Sequence, residues 1–93
     1  MTTITIKLIS GEEWIAQRTN TLDDNLFVLS KVRKLQLVPD NKGRPALMLT
    51  PITHGNVDCD ELTIEKRIVM FHLPVDAAFE RQYLQEVTGI QLT

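Results

Sequence analysis

Between residues 51 and 61 the chain gathers His54, Asp58, Cys59, Asp60 and Glu61, its densest set of groups able to ligate a metal or carry a proton. A structural zinc site draws on four ligands, with thiolates in pairs such as Cys-x-x-Cys, whereas this loop offers one thiol and one imidazole. It reads as hydrated acid, so neither a metal nor a cofactor is expected. The remaining imidazole, His72, sits in an apolar run with no chemical partner beside it in sequence, which reads as a rim or satisfied histidine. No acid, base and nucleophile set appears elsewhere. The expectation is a protein without catalytic residues, not an enzyme.

Positive charge is the second feature that could do chemistry. Lys31, Arg33, Lys34, Lys42 and Arg44 lie within residues 31–44 against Asp40 alone, while the whole chain stands at a formal charge of -2. The rest of the chain is therefore acidic. A cluster of this kind protects an exposed strand from sticking edge to edge, or it holds phosphates and makes binding salt-dependent.

The elements that must position these groups are strands. In residues 4–16 Ile4, Ile6 and Leu8 alternate with Thr5 and Lys7, Gly11 supplies a turn, and a second strand begins at Glu13. That strand sets Trp14 and Ala16 on one face and Ile15 on the other, and Trp14 reads as core. A polar loop occupies residues 19–25. Residues 26–38 form a long extended segment whose apolar positions begin even, at Leu26, Val28 and Val32, and end odd, at Leu35 and Leu37. The change of phase predicts a bulge or bend between Val32 and Leu35. Residues 39–45 make a hairpin tip, and Leu47, Met48 and Leu49 return along the ribbon.

The last strand region spans residues 62–73. Its second half is apolar on both faces apart from His72, which predicts burial on one side by core and on the other by a neighbouring layer or subunit. Asp76 is placed to cap a helix over residues 77–88 closed by Gly89, with Phe79, Tyr83, Val87 and Ile90 as an apolar stripe that caps the sheet. The expected domain is a barrel over residues 1–75 with the helix and tail, 76–93, packed on it. At 93 residues one core is small, so self-association is expected to bury more surface. No apolar run is long enough to span a membrane, the N-terminus lacks a secretory pattern, and Cys59 has no second cysteine to pair with. These point to a soluble protein of a reducing cytoplasm.

Five extended segments, a bent middle strand and a final apolar strand describe a small barrel of the SH3, OB or Sm type. Leu8-Ile9-Ser10-Gly11-Glu12-Glu13-Trp14 resembles the first motif of Sm and Sm-like (Lsm, Hfq) proteins, and Ile64-Glu65-Lys66-Arg67-Ile68-Val69 resembles the second, a strand-turn-strand sequence. The middle and tail look most like the divergent Sm-like proteins of marine and cyanobacterial phages. The resemblance covers residues 3–73. It implies a mainly β fold, a five-stranded, strongly bent barrel, here with a helix following it, and edge-to-edge pairing into a homo-oligomeric ring of about five to seven subunits. It also implies single-stranded RNA bound at the inner rim, without a membrane, in a host cytoplasm if the protein is phage-encoded.

The family binds a nucleotide with an aspartate and asparagine from one loop and an arginine and glycine from another. In this sequence Leu22 and Leu26 fall at the first two positions, with Asp23 and Asn25 one place out of register, and Glu65-Lys66 replaces the arginine-glycine pair. The RNA contacts implied are Lys66 and Arg67 at the pore, Asn25 beside them, and Lys31, Arg33, Lys34, Lys42 and Arg44 as a phosphate-facing patch. The alternative is a structural or adaptor ring that binds protein partners and no RNA.

Overall fold

In the computed structural model, which describes residues 2–52 and 61–88, β1 (Thr2–Leu8) turns at Gly11 into β2 (Glu13–Thr19). Gly11 takes φ +96°, a region that favours glycine, and its N–H donates to the Leu8 carbonyl at 2.9 Å. The two strands pair antiparallel with Ile4 opposite Ala16 and Ile6 opposite Trp14. This register puts the apolar rows of both strands on one face.

β3 (Leu26–Pro39) is the spine of the sheet. One of its edges pairs with β2, and the other is divided between β4 (Pro45–Thr50), along residues 34–39, and β5 (Leu62–Glu65), along residues 26–29. A 3-10 turn at Lys66–Ile68 then leads into β6 (Val69–Pro74), which pairs with β1. The strand order is β4-β3-β2-β1-β6, with β5 also on β3. The fold is thus six antiparallel strands in an open sheet followed by α1 (Ala77–Thr88). No strand pairing closes it into a barrel among the described residues, and the single last strand expected over 62–73 is two strands joined by the turn.

The bulge lies earlier than the phase of the sequence suggests. Ile15 faces Arg33 and Gln17 faces Ser30, so two residues of β3, Lys31 and Val32, stand against Ala16 alone. Lys31 carries φ +52°, unusual for a side chain with a Cβ. Before the bulge the odd positions Phe27 and Leu29 are buried, with Leu26 and Val28 only half-buried, and after it Val32 and then Leu35 point inward on their respective faces. Even-numbered apolar residues misled the pattern because both faces of β3 here are partly covered.

Two apolar clusters result. The inner one joins Ile4, Ile6, Leu8, Ala16, Phe27, Leu29, Val32 and Ile64, with Trp14 packed against it. The outer one joins Ile15 and Leu35 to Tyr83 of α1, with Phe79 and Val87 of the same helical stripe alongside. Asp76 starts that helix, its Oδ1 accepting the Ala78 N–H at 3.1 Å. The expected Gly89 stop and Ile90 lie outside the described residues. Tyr83 is fully buried, and its hydroxyl donates to the Lys31 carbonyl at 2.6 Å, so the helix fastens directly onto the bulge. Burial drives the Tyr83 phenol well above its usual range.

β6 is not buried on both sides in the single chain. Met70, Phe71 and Leu73 are 59%, 48% and 53% exposed, and α1 does not reach Phe71 and Leu73 on its own face because it lies over the middle of the sheet. Leu47 and Met48 of β4, at the opposite edge of the sheet, are likewise exposed. No helix among the described residues is long and apolar enough to cross a membrane.

Candidate nucleic-acid interface

The loop before β3 is built on Asp23. Its Oδ1 accepts the Asn25 N–H at 2.9 Å, its carbonyl accepts the Leu26 N–H at 3.2 Å, and its own N–H donates to Thr21 Oγ1 at 3.3 Å. Asn25 is thereby presented at the mouth of β3. Its carbonyl accepts the Lys66 N–H at 2.8 Å, and Leu26 faces Glu65 in the adjoining ladder. Two loops about forty residues apart in sequence are therefore tied together by backbone hydrogen bonds.

Asn25, Leu26, Glu65, Lys66 and Arg67 line a cleft of about 370 Å³ at this junction. The guanidinium of Arg67 is ion-paired to the Glu65 carboxylate, so part of its charge is spent inside the cleft. Lys66 has no carboxylate within ion-pair distance among the described residues. The arrangement offers an amide that can donate and accept, one unpaired ammonium, and a planar guanidinium held by an acid. Such a set suits a base edge and a backbone phosphate. Leu22 is fully exposed in the loop before β3.

The five basic residues of 31–44 do not share one face. Arg33 stands opposite Ile15, on the side covered by α1, and its Nη1 donates to the Val32 carbonyl at 2.9 Å. Lys34 is opposite Trp14, on the other side, and its Nζ lies 3.3 Å from Glu12 Oε1. Lys31 sits at the bulge with its carbonyl taken by Tyr83. Lys42 and Arg44 are at the hairpin tip around Asp40, whose Oδ1 accepts both backbone N–H groups at 2.8 Å while Arg44 Nε lies 3.4 Å from Oδ2. The N–H of Arg44 first, then that of Lys42, holds the Asp40 carboxyl below its ordinary value. Gly43 closes this tip at φ +77°.

Of the acidic loop, His54, Asp58, Cys59 and Asp60 lie outside the described residues, and no group of three potential ligands occurs among the described ones. His72 packs edge-on against the ring of Phe27, centroids 5.3 Å apart. Charge counting along the chain misses Arg18, which stands apart from the other cations. The signal was its place in the row Trp14, Ala16, Arg18, which puts a cation on the core-facing side of β2. No protein family matches this chain, and no curated protein matches it.

Proposed function

We propose that the chain is a non-catalytic, Sm-like protein that assembles into a ring and binds single-stranded RNA at the cleft of Asn25, Lys66 and Arg67. In this reading β4 and β5 count as one interrupted strand along β3, which makes the sheet a five-stranded, strongly bent small barrel. The observation that carries the proposal is the meeting of Asn25 with the Lys66–Arg67 turn in one cleft. A single such cleft would bind weakly. A ring that repeats it around a pore gains by effective concentration.

Assembly is supported by edges that carry no partner strand among the described residues, β4 (with β5 beside it along β3) with Leu47 and Met48 exposed, and β6 with Met70, Phe71 and Leu73 exposed. Unpaired apolar edges invite pairing with another chain, and two different edges meeting head to tail generate rings when the rotation closes. Lys66 supplies a cation without an ion-pair partner among the described residues, and Asn25 the base-reading amide. Lys31, Arg33, Lys34, Lys42 and Arg44 would act from separate places as long-range attraction. Fluorescence anisotropy with labelled oligo(U) at low salt tests the binding: saturable binding that weakens with salt is expected, and its absence at low salt refutes RNA binding.

A second reading, an adaptor ring for protein partners, is favoured by one feature. Leu37 and Leu47 face each other across the β3–β4 ribbon, largely exposed, in a groove of about 480 Å³ rimmed by Lys7, Glu13 and Lys34. That reading predicts rings whose native preparations carry no nucleic acid, measured as the ratio of absorbance at 260 and 280 nm.

A further inference from the structure

Arg18 ends the core-facing row of β2, opposite Thr2 on one side and Leu29 on the other. Its guanidinium carbon sits over the ring of Phe27, 4.2 Å from the centroid, and the ring itself is buried. Stacking of this kind fixes the plane of the guanidinium while leaving its N–H edge for a ligand. Among the described residues no carboxylate lies within ion-pair distance of Arg18, although it is half-buried. An arginine held in place, with no counterion among the described residues, is poised for an anion. The ladder to β6 stops at Pro74, opposite Ile4, and so does not reach the level of Thr2 and Arg18.

His72 reaches the same ring from β6, edge to face, and its side chain is exposed. Phe27 is thus flanked by two nitrogen-bearing groups, a guanidinium over its face and an imidazole packed against it. Phe27 also follows directly on Leu26, which lines the cleft of Asn25 and Lys66.

We propose that Arg18, stacked on Phe27 and flanked by His72, is a second phosphate site that grips a backbone phosphodiester of the RNA strand bound at the cleft. This rests on the RNA-binding reading of the cleft. Arg18 makes the contact as a planar fork to two phosphate oxygens, His72 supplies a further N–H donor, and Phe27 is the positioning residue.

Two probes test the site: fluorescein-labelled oligo(U) followed by anisotropy over a salt series, and pyrophosphate followed through the Arg18 Nε–H resonance by NMR. Arg18→Gln is expected to weaken oligo(U) binding about tenfold and to lower the slope of log affinity against log salt by about 0.7, the loss of one phosphate contact. Arg18→Lys, which keeps the charge and loses the fork, is expected to keep the slope and lose part of the affinity. In the wild type, pyrophosphate is expected to shift the Nε–H signal saturably, a readout that needs no variant to fold. If Lys66→Ala weakens oligo(U) binding while folded Arg18→Gln changes neither affinity nor slope, the second site is wrong and the cleft stands. If the wild type binds no oligo(U), the RNA reading and the RNA role of Arg18 both fall. A saturable pyrophosphate shift would then leave Arg18 as an anion site, and an unmoved resonance would remove that too.

Discussion

The outer face of the sheet has a covered middle and bare flanks. Rows across it run Leu73, Thr5, Ile15, Arg33 and Phe71, Lys7, Glu13, Leu35, Leu49. In the middle, Ile15 and Leu35 are buried beneath Tyr83, while Phe71 and Leu73 at one end, and Leu37 and Leu47 along the ribbon at the other, are exposed. The residue types are alike, and what differs is the reach of a 12-residue helix about 18 Å long. The helix serves the middle of the sheet, and among the described residues nothing covers the apolar side chains beyond it. The contrast separates what stabilises the single chain from what the proposal assigns to assembly.

The largest effect is expected in the covered middle. Tyr83→Ala removes a fully buried ring and the hydroxyl that holds the Lys31 carbonyl, and should cost about 3–5 kcal/mol in urea unfolding followed by circular dichroism. A loss below about 1 kcal/mol would mean that the helix does not clamp the bulge.

Substitution at the flanks should do the reverse, leaving the fold and removing assembly. Phe71→Glu and Leu47→Glu, each on a different edge, should alter single-chain stability by only about 0.5 kcal/mol yet give single chains by light scattering. Mixing the two variants sharpens the comparison. Each keeps one intact edge, so head-to-tail pairing predicts that the mixture forms dimers and nothing larger. If both variants retain the wild-type mass, β4 and β6 are not the interface.

Smaller effects are expected in the cleft. Lys66→Ala should weaken oligo(U) binding about tenfold, the value of one charge-assisted contact. Glu65→Gln, by releasing Arg67, should strengthen it a few-fold, and anisotropy titrations read both. Tyr83→Phe, which keeps the ring, should cost about 1 kcal/mol. It also carries a pH signature. Because the folded phenol titrates above its unfolded value, the stability it contributes is whole below about pH 10 and declines as pH rises beyond that. Tyr83→Phe should lack that part of the alkaline decline in unfolding curves taken on both sides of pH 10.

Much of this architecture could be read from local pattern. The alternation of Ile4, Ile6 and Leu8, the Gly11 turn, the opposite faces of Trp14 and Ile15, and the cap and stripe of α1 all follow from rules confined to one element. The site of the bulge did not: its residue Lys31 has its carbonyl held by the Tyr83 hydroxyl, a contact 52 residues away that no local pattern reports. Charge proximity along the chain was also a poor guide to proximity in space: β3 sends Arg33 and Lys34 to opposite faces. Asn25 and the Lys66–Arg67 turn, distant in sequence, meet through the β3–β5 ladder. Arg18 was hidden because its value lies in a stack on Phe27, a contact between strands.

The most direct test of the proposed assembly is the mass of the wild-type protein in solution, by light scattering after size exclusion. Head-to-tail use of both edges predicts a closed species of about five to seven chains, unchanged on moderate dilution. A mass of 10.6 kDa, the single chain, would contradict it and leave the cleft without the repetition on which tight RNA binding depends.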